Sequence, residues 1–152
     1  MRRDHDPLLT RLRAIPLFSG CPRAELALVA RCSTEHHARA GEVLIEQGWT
    51  ARELLVIVEG SVVVRLDDRP IARLGPGDVV GEVALLDRGP RTASVVAETD
   101  VRALVSTAHE VTMLLTHAPA LTRALLQATA SRLRTTTAQL TAVRPARSVR
   151  AV

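Results

Sequence analysis

Residues 75–95 hold the side chains best suited to chemistry in this sequence. The carboxylate of Glu82 directly follows Gly81, and an arginine–threonine pair, Arg91 and Thr92, begins nine residues later. The planar guanidinium group of arginine can donate two parallel N–H hydrogen bonds to a phosphate. A carboxylate repels phosphate but accepts hydrogen bonds from a sugar hydroxyl, as acidic residues do in dinucleotide sites. Together these residues predict a site for a sugar phosphate.

The backbone of the same segment favours an anion as well. Gly77 and Gly81 allow tight turns, and residues 81–86 are long enough for about one and a half helical turns. The first N–H groups of such a turn have no intrahelical partners and attract negative charge. We therefore expect a short helix to begin at this glycine, beside the phosphate.

The surrounding sequence predicts a mainly β domain that holds this segment. Residues 33–106 contain short β-branched runs separated by glycines, a spacing typical of a sandwich or roll and not of strand–helix–strand units. The predicted strands include residues 43–45, 54–58, 61–64, 93–96 and 101–105. A tight hairpin is expected at residues 58–61, where Gly60 supplies the unusual dihedral angle.

Helices are predicted on both sides of the strands. Residues 8–32 have helical spacing with a break near Pro16. Helical spacing returns after Ser106, and Pro119 breaks or restarts the helix. An apolar stripe then extends over residues 114–140 at steps of three and four. The expected fold is an antiparallel, jelly-roll-like β-roll with N-terminal helices, a short helix at the phosphate segment and C-terminal helices.

The amino-acid composition argues against two classes of protein, those that stack nucleic-acid bases and those that span a membrane. The 152 residues include one Phe, one Trp and no Tyr, so the core must be aliphatic and the stacking of nucleic-acid bases has almost no side chains to use. No stretch approaches the ~18–20 apolar residues of a membrane span, and no apolar segment follows the charged N-terminus. We therefore expect a cytoplasmic domain with no membrane partner.

The order of these features resembles the cyclic nucleotide-binding domain family. Residues 81–85 (Gly-Glu-Val-Ala-Leu) and 90–95 (Pro-Arg-Thr-Ala-Ser-Val) are similar to the two ends of that family's phosphate-binding cassette. Further similar segments are the helical entry at 15–18, the second strand at 41–48, the central hairpin at 55–64 and the cassette lead-in at 74–78. The resemblance covers about residues 8–140.

The resemblance implies a role for each cassette residue. Arg91 would pair with the cyclic phosphate, and Glu82 would accept a hydrogen bond from the ribose 2′-hydroxyl, which only a ribonucleotide has. The N–H groups of Ala84 and Thr92 would hold phosphate oxygens, while Gly81 would let the sugar approach closely. The predicted ligand-binding residues are Gly81, Glu82, Val83, Ala84, Arg91, Thr92 and Ala93.

The base of the nucleotide is less constrained than its sugar phosphate. Some members of the family use a hydroxyl at the position of Thr92 to contact guanine, and others bind cyclic AMP with it in place. The resemblance implies cyclic AMP or cyclic GMP as the ligand, and we expect cyclic AMP. No aromatic residue follows Trp49, so Arg132 and Arg134 are the candidates for a lid over the base.

These features predict a non-catalytic sensor domain over residues 8–142, followed by a disordered tail at 143–152. Ligand binding would shift the C-terminal helix and so reach a protein effector. No serine lies in the context of a nucleophile. No metal is expected either, because the two cysteines and the adjacent His36 and His37 lack the paired spacing of a zinc site.

The same sequence features allow two alternatives to a nucleotide sensor. In one, Glu82 and Arg91 form an internal salt bridge in a ligand-free module that forms a homodimer through the apolar stripe at 114–140. In the other, the chain is part of a catabolite-activator-type transcription regulator that lacks its DNA-binding domain. Residues 111–152 hold six arginines and no acid, but a helix-turn-helix needs several tens more residues. We therefore expect no DNA binding by this chain.

Overall fold

The computed structural model describes residues 6–143. In that part of the chain the helices are α1 (Pro7–Arg13), α2 (Arg23–Arg31), α3 (Glu82–Asp87), α4 (Ala108–His117) and α5 (Pro119–Val143). The strands are β1 (Thr34–Ala38), β2 (Val43–Ile45), β3 (Glu53–Glu59), β4 (Val62–Leu66), β5 (Arg69–Leu74), β6 (Val79–Val80), β7 (Ser94–Ala97) and β8 (Val101–Thr107). A 3₁₀ turn at Pro16–Phe18 separates α1 from α2. Beyond Val143, the predicted tail lies outside the described residues.

The strands build two antiparallel sheets of four strands each. The strand order is β1-β8-β3-β6 in the first sheet and β2-β7-β4-β5 in the second. The predicted β-roll with helices on both sides is therefore confirmed, and each of the five strands predicted from the sequence is found within two residues of its expected bounds.

Two apolar cores follow from the alternation of side chains along the strands. In β8, Ala103 packs between the sheets with Ile57 and Val62, and all three are fully buried. The next residue, Leu104, belongs to the second core, where the first sheet packs against the helices and Phe18. One strand thus serves both cores, which fixes the helices on the outer face of the roll.

The hairpin predicted at residues 58–61 is wrong. Strands β3 and β4 belong to different sheets, so Gly60 passes the chain from one sheet to the other. Gly60 has a φ of +86°, and a Cβ there would lie 2.2 Å from the backbone oxygen of Asp100. A true hairpin joins β4 to β5 through Asp67 and Asp68, whose φ values of 50° and 62° suit a two-residue type I′ turn.

The apolar stripe on the C-terminal helices divides into two parts. Pro119 begins α5, as the sequence predicts. Leu114 and Leu121 are buried in the helical core. Farther along the same helix the leucines that remain exposed are Leu126, Leu133 and Leu140. Only the first part of the stripe therefore packs onto the roll.

The start of α5 is held by a buried carboxylate from α2. Glu25 is 7% exposed and accepts hydrogen bonds from the backbone N–H groups of Ala120 (3.0 Å) and Leu121 (2.9 Å). The first N–H groups of a helix lack intrahelical partners, and a negative charge beside them complements the helix dipole. Glu25 therefore anchors the helix that carries the exposed leucines.

Replacing Glu25 with alanine is expected to lower the free energy of unfolding by ~2–3 kcal/mol, because one buried and one partly buried N–H group lose a charged acceptor. Urea unfolding followed by circular dichroism measures the change. Glu110 is the matched control, since it completes a more exposed capping box at the start of α4. Glu110→Ala is expected to cost ~1 kcal/mol or less, and equal losses in the two variants would contradict the role given to Glu25.

Candidate functional site

The predicted sugar-phosphate segment lines an open pocket of about 450 Å³. Strand β6 leads into it, Gly81 takes a left-handed conformation with a φ of +85°, and α3 begins at Glu82. The lining residues are Ile45, Val64, Leu74, Val80, Gly81, Glu82, Ala84, Arg91, Thr92, Ala93, Val95 and Arg132. The wall is mostly aliphatic, and its polar side chains are one carboxylate, one hydroxyl and two guanidinium groups.

Arg91 is a buried cation, 8% exposed. Its Nη1 donates to the backbone oxygen of Gly81 (3.0 Å) and its Nη2 to that of Glu53 (2.6 Å), so both partners are neutral carbonyls. Burial lowers the pKa of the Arg91 guanidinium, and the charge of Glu53 opposes this shift. Of the described residues, none brings a carboxylate within 4.0 Å of the guanidinium. An anion in the pocket would neutralise it.

Glu82 lies in the same pocket but pairs with a different arginine. It is 7% exposed, and Nη1 of Arg132 on α5 donates to its Oε1 at 2.6 Å. The internal salt bridge between Glu82 and Arg91, one of the alternatives from the sequence, is therefore not formed. The pocket thus holds a carboxylate and a separate cation whose hydrogen-bond partners are neutral carbonyls, a pair suited to a sugar hydroxyl and a phosphate.

The backbone of the loop that carries Arg91 is held by hydrogen bonds to the turn at Gly48 and Trp49. The N–H of Arg91 donates to the backbone oxygen of Trp49, and the backbone oxygen of Arg91 accepts from the N–H of Gly48, both at 2.8 Å.

A family model described as the cyclic nucleotide-binding domain matches residues 35–117, which include the whole loop and strands β2 to β8. The chain belongs to the cyclic nucleotide-binding domain family. The family resemblance predicted from the sequence is thus confirmed.

Relatives of this cyclic nucleotide-binding domain occur in proteins of different kinds. A cyclic nucleotide-gated potassium channel of Rhizobium etli is 37% identical over 91 residues, which are 60% of this chain and 25% of the channel. The cyclic AMP receptor protein of Thermus thermophilus is 31% identical over 130 residues, 81% of this chain and 59% of that protein. The chain therefore spans only part of the length of these relatives.

A solved cyclic nucleotide-binding domain from Methylobacillus flagellatus has a similar fold. Its TM-score is 0.77 at 25% identity, and the match covers 93% of this chain and 85% of that one. The likeness extends beyond the segment matched by the family model, which ends with α4.

The structure brings most of the predicted site residues to the pocket of this domain. Those that line it are Gly81, Glu82, Ala84, Arg91, Thr92 and Ala93. Val83 lies in α3 between two of them. Of the two predicted lid residues, Arg132 lines the pocket with its guanidinium on Glu82, whereas Arg134 is exposed and does not line it. A lid over the base remains a prediction.

Sequence reasoning missed the aliphatic wall of the pocket. It is built by Ile45, Val64, Leu74, Val80 and Val95, each from a different strand of β2 and β4 to β7. The signal that points to such residues is alternation along each strand, but alternation alone does not say which inward positions surround a pocket and which fill the core.

Nothing in the described part of the chain adds a metal or a membrane span. Residues 6–143 contain no group of three His, Cys, Asp or Glu residues placed to hold a metal ion. In the same range no helix is long and apolar enough to cross a membrane. Cys21 is buried, and this burial raises the pKa of its thiol, with Glu25 adding to the shift, which disfavours the thiolate that a metal needs.

Gly81 must be glycine for the pocket to keep its shape. A Cβ at this position would lie 2.4 Å from Nη1 of Arg91 and 3.1 Å from Cδ1 of Ile45. Gly81→Ala is expected to displace the Arg91 guanidinium and to raise the Kd for a cyclic nucleotide at least about tenfold. Titration calorimetry measures this. The control is Gly20→Ala, whose added Cβ meets nothing within 4 Å; equal affinities of the two variants would contradict the prediction.

Proposed function

We propose that this domain is a non-catalytic sensor that binds a cyclic nucleotide, with cyclic AMP preferred to cyclic GMP. Arg91 pairs with the cyclic phosphate, and Glu82 accepts from the ribose 2′-hydroxyl. The remaining contacts come from the N–H groups of Ala84 and Thr92 and from close approach at Gly81. The observation that carries this proposal is the buried Arg91 guanidinium, which has only neutral carbonyl partners and lies in the pocket of Glu82.

The chemistry of the pocket supports binding without catalysis. Its lining includes no histidine, the side chain that most often acts as a general base, and its one carboxylate, Glu82, is bound by the Arg132 guanidinium. The preference for cyclic AMP is supported by the similar cyclic AMP receptor protein, which aligns over 130 residues. Thr92, exposed at the edge of the pocket, is the side chain from which a contact to guanine would come.

Titration calorimetry with cyclic AMP and, separately, with cyclic GMP tests the proposal. We expect saturable binding of one nucleotide per chain, with the smaller Kd for cyclic AMP. The open-chain nucleotide 5′-AMP is the matched control, because it keeps the base and ribose but not the cyclic phosphate. An absence of binding for both cyclic nucleotides would overturn the function, and tighter binding of cyclic GMP would overturn the preference alone.

We also propose that two copies of the chain associate through α5. Leu126, Leu133 and Leu140 are each more than 60% exposed and recur every seven residues, the repeat of one core position of a coiled coil. Such a narrow stripe is self-complementary between two copies. Light scattering is expected to give the mass of a dimer for the unmodified chain and of a monomer for Leu133→Glu. A monomer in both cases would contradict the dimer.

A further inference from the structure

A second cavity, of about 390 Å³, lies in the core between the first sheet and the helices and shares no residue with the nucleotide pocket. Eleven of its thirteen lining residues are apolar, and the other two are Ser33 and Ser106. Small-molecule sites have this character, mostly apolar with a few placed polar groups, and this volume is at the lower end of their range. Leu115 and Leu125 in its wall are only partly buried, so the cavity lies near the surface between α4 and α5.

The two serines make one end of this cavity polar. Ser106 follows Leu104 by two residues in β8, so both side chains face the helices. Ser106 is buried, and its Oγ donates to the backbone oxygen of Cys32 at 2.7 Å. The same Oγ lies 3.1 Å from Oγ of Ser33, within hydrogen-bond distance. A hydroxyl pair is thus held in place against an otherwise apolar wall.

The hydrogen bonds of the two serines leave only acceptors free. A hydroxyl group has one hydrogen to donate and two lone pairs that accept. The hydrogen of Ser106 is used on the carbonyl of Cys32, so Ser33 must donate the bond between the two hydroxyls. Of the described residues, none donates to Oγ of Ser33. The polar end therefore offers lone pairs but no hydrogen, and it selects a ligand that donates.

We infer that this cavity binds a small, mainly apolar molecule that carries one hydroxyl group, such as a phenol. The hydroxyl of the ligand donates to Oγ of Ser33, and its apolar body contacts Phe18, Leu104 and Leu121 in the wall. A single water molecule would satisfy the serines but would leave most of the apolar space empty. Apolar cavities in proteins stay dry and take up apolar molecules. The inference goes beyond the proposed function, because it uses no residue of the nucleotide pocket.

Titration of the full chain with phenol, anisole and benzene, followed by two-dimensional amide NMR, tests the inference. Anisole is the matched ligand, because a methyl group replaces the hydrogen that phenol donates. Phenol is expected to bind about three- to tenfold more tightly than either of the others, the gain from one hydrogen bond. The largest shifts should fall in β8, α4 and the first turns of α5. The midpoint of thermal unfolding should also rise with the phenol concentration, because the ligand binds the folded state.

Replacing Ser33 with alanine tests the polar end. This variant removes two of the three free lone pairs and keeps the bond from Ser106 to Cys32, so the fold should be unaffected. The preference for phenol over anisole should fall at least about threefold, whereas the Kd for anisole should change less than about threefold. Ser131→Ala is the matched control, since Ser131 is exposed on α5 and does not line the cavity. It should behave as the unmodified protein.

Filling the cavity tests its apolar part. Leu115→Phe adds volume at the partly buried wall and should abolish binding of all three compounds, and Val111→Leu is a second filling variant on α4. Thermal unfolding shows whether each variant is folded.

Three results would overturn the inference: equal affinities for phenol and anisole, an unchanged preference in Ser33→Ala, or amide shifts that persist in both filling variants. Absence of binding of all three compounds to the unmodified protein would overturn it as well. Calorimetry with cyclic AMP is a separate measurement on a separate site, so the failure of one proposal leaves the other standing.

Discussion

Replacing Arg91 with alanine is expected to weaken binding of cyclic AMP by ~1.5–3 kcal/mol, about ten- to a hundredfold in Kd. The guanidinium is 8% exposed and already desolvated in the folded protein. A phosphate that binds to it therefore meets a cation whose position is fixed by the carbonyls of Gly81 and Glu53. A fixed, buried donor pair loses little entropy on binding and interacts strongly in a low dielectric.

The experiment must distinguish a loss of nucleotide binding from a loss of folded structure, because the Arg91 side chain also donates hydrogen bonds to the backbone of Gly81 and Glu53. Thermal unfolding of each variant shows whether the fold is kept, and calorimetry then measures the Kd. Arg91→Lys keeps the charge without the planar fork and is expected to bind with an intermediate affinity. Arg52→Ala is the control, since Arg52 is exposed beside Glu53. An unchanged Kd in a folded Arg91→Ala variant would refute the assignment of this site.

The cassette could be predicted from the sequence because its chemistry is local. Gly81, Glu82 and Arg91 lie within eleven consecutive residues, and glycine positions restrict how such a short loop can fold. Spacing alone therefore places a carboxylate and a guanidinium in one pocket. It does not settle whether they pair, and the structure answers this by giving Glu82 a partner 50 residues away.

The parts that the sequence did not predict depend on distant partners. Strands β1 and β5 consist mainly of exposed residues, so they lack the apolar alternation that marks a half-buried strand. Both lie at sheet edges, where polar residues and Pro70 discourage pairing with other chains. At Gly60 the sequence predicts a turn correctly, but a turn signal does not say which sheet the next strand joins.

The largest effect on stability is expected from Phe18→Ala, a loss of ~3–5 kcal/mol in the free energy of unfolding. Phe18 is 2% exposed and is the only phenylalanine in the chain. It packs in the core between the helices and the first sheet, with Val29, Leu104 and Leu121. Aliphatic neighbours have few ways to fill the space of a ring, so most of the cavity should remain open.

The same variant tests whether lost packing in the core of Phe18 changes the nucleotide pocket, whose wall belongs to the other core. The aliphatic wall of the pocket, including Ile45 and Val95, belongs to the core between the sheets, not to that of Phe18. Phe18→Ala should therefore lower the unfolding midpoint by roughly 10 °C and leave the Kd of the folded protein within about threefold. Phe18→Leu should cost ~1.5 kcal/mol or less, because it keeps most of the volume. A loss of nucleotide affinity that tracks the loss of stability across these variants would mean that the helical core shapes the pocket.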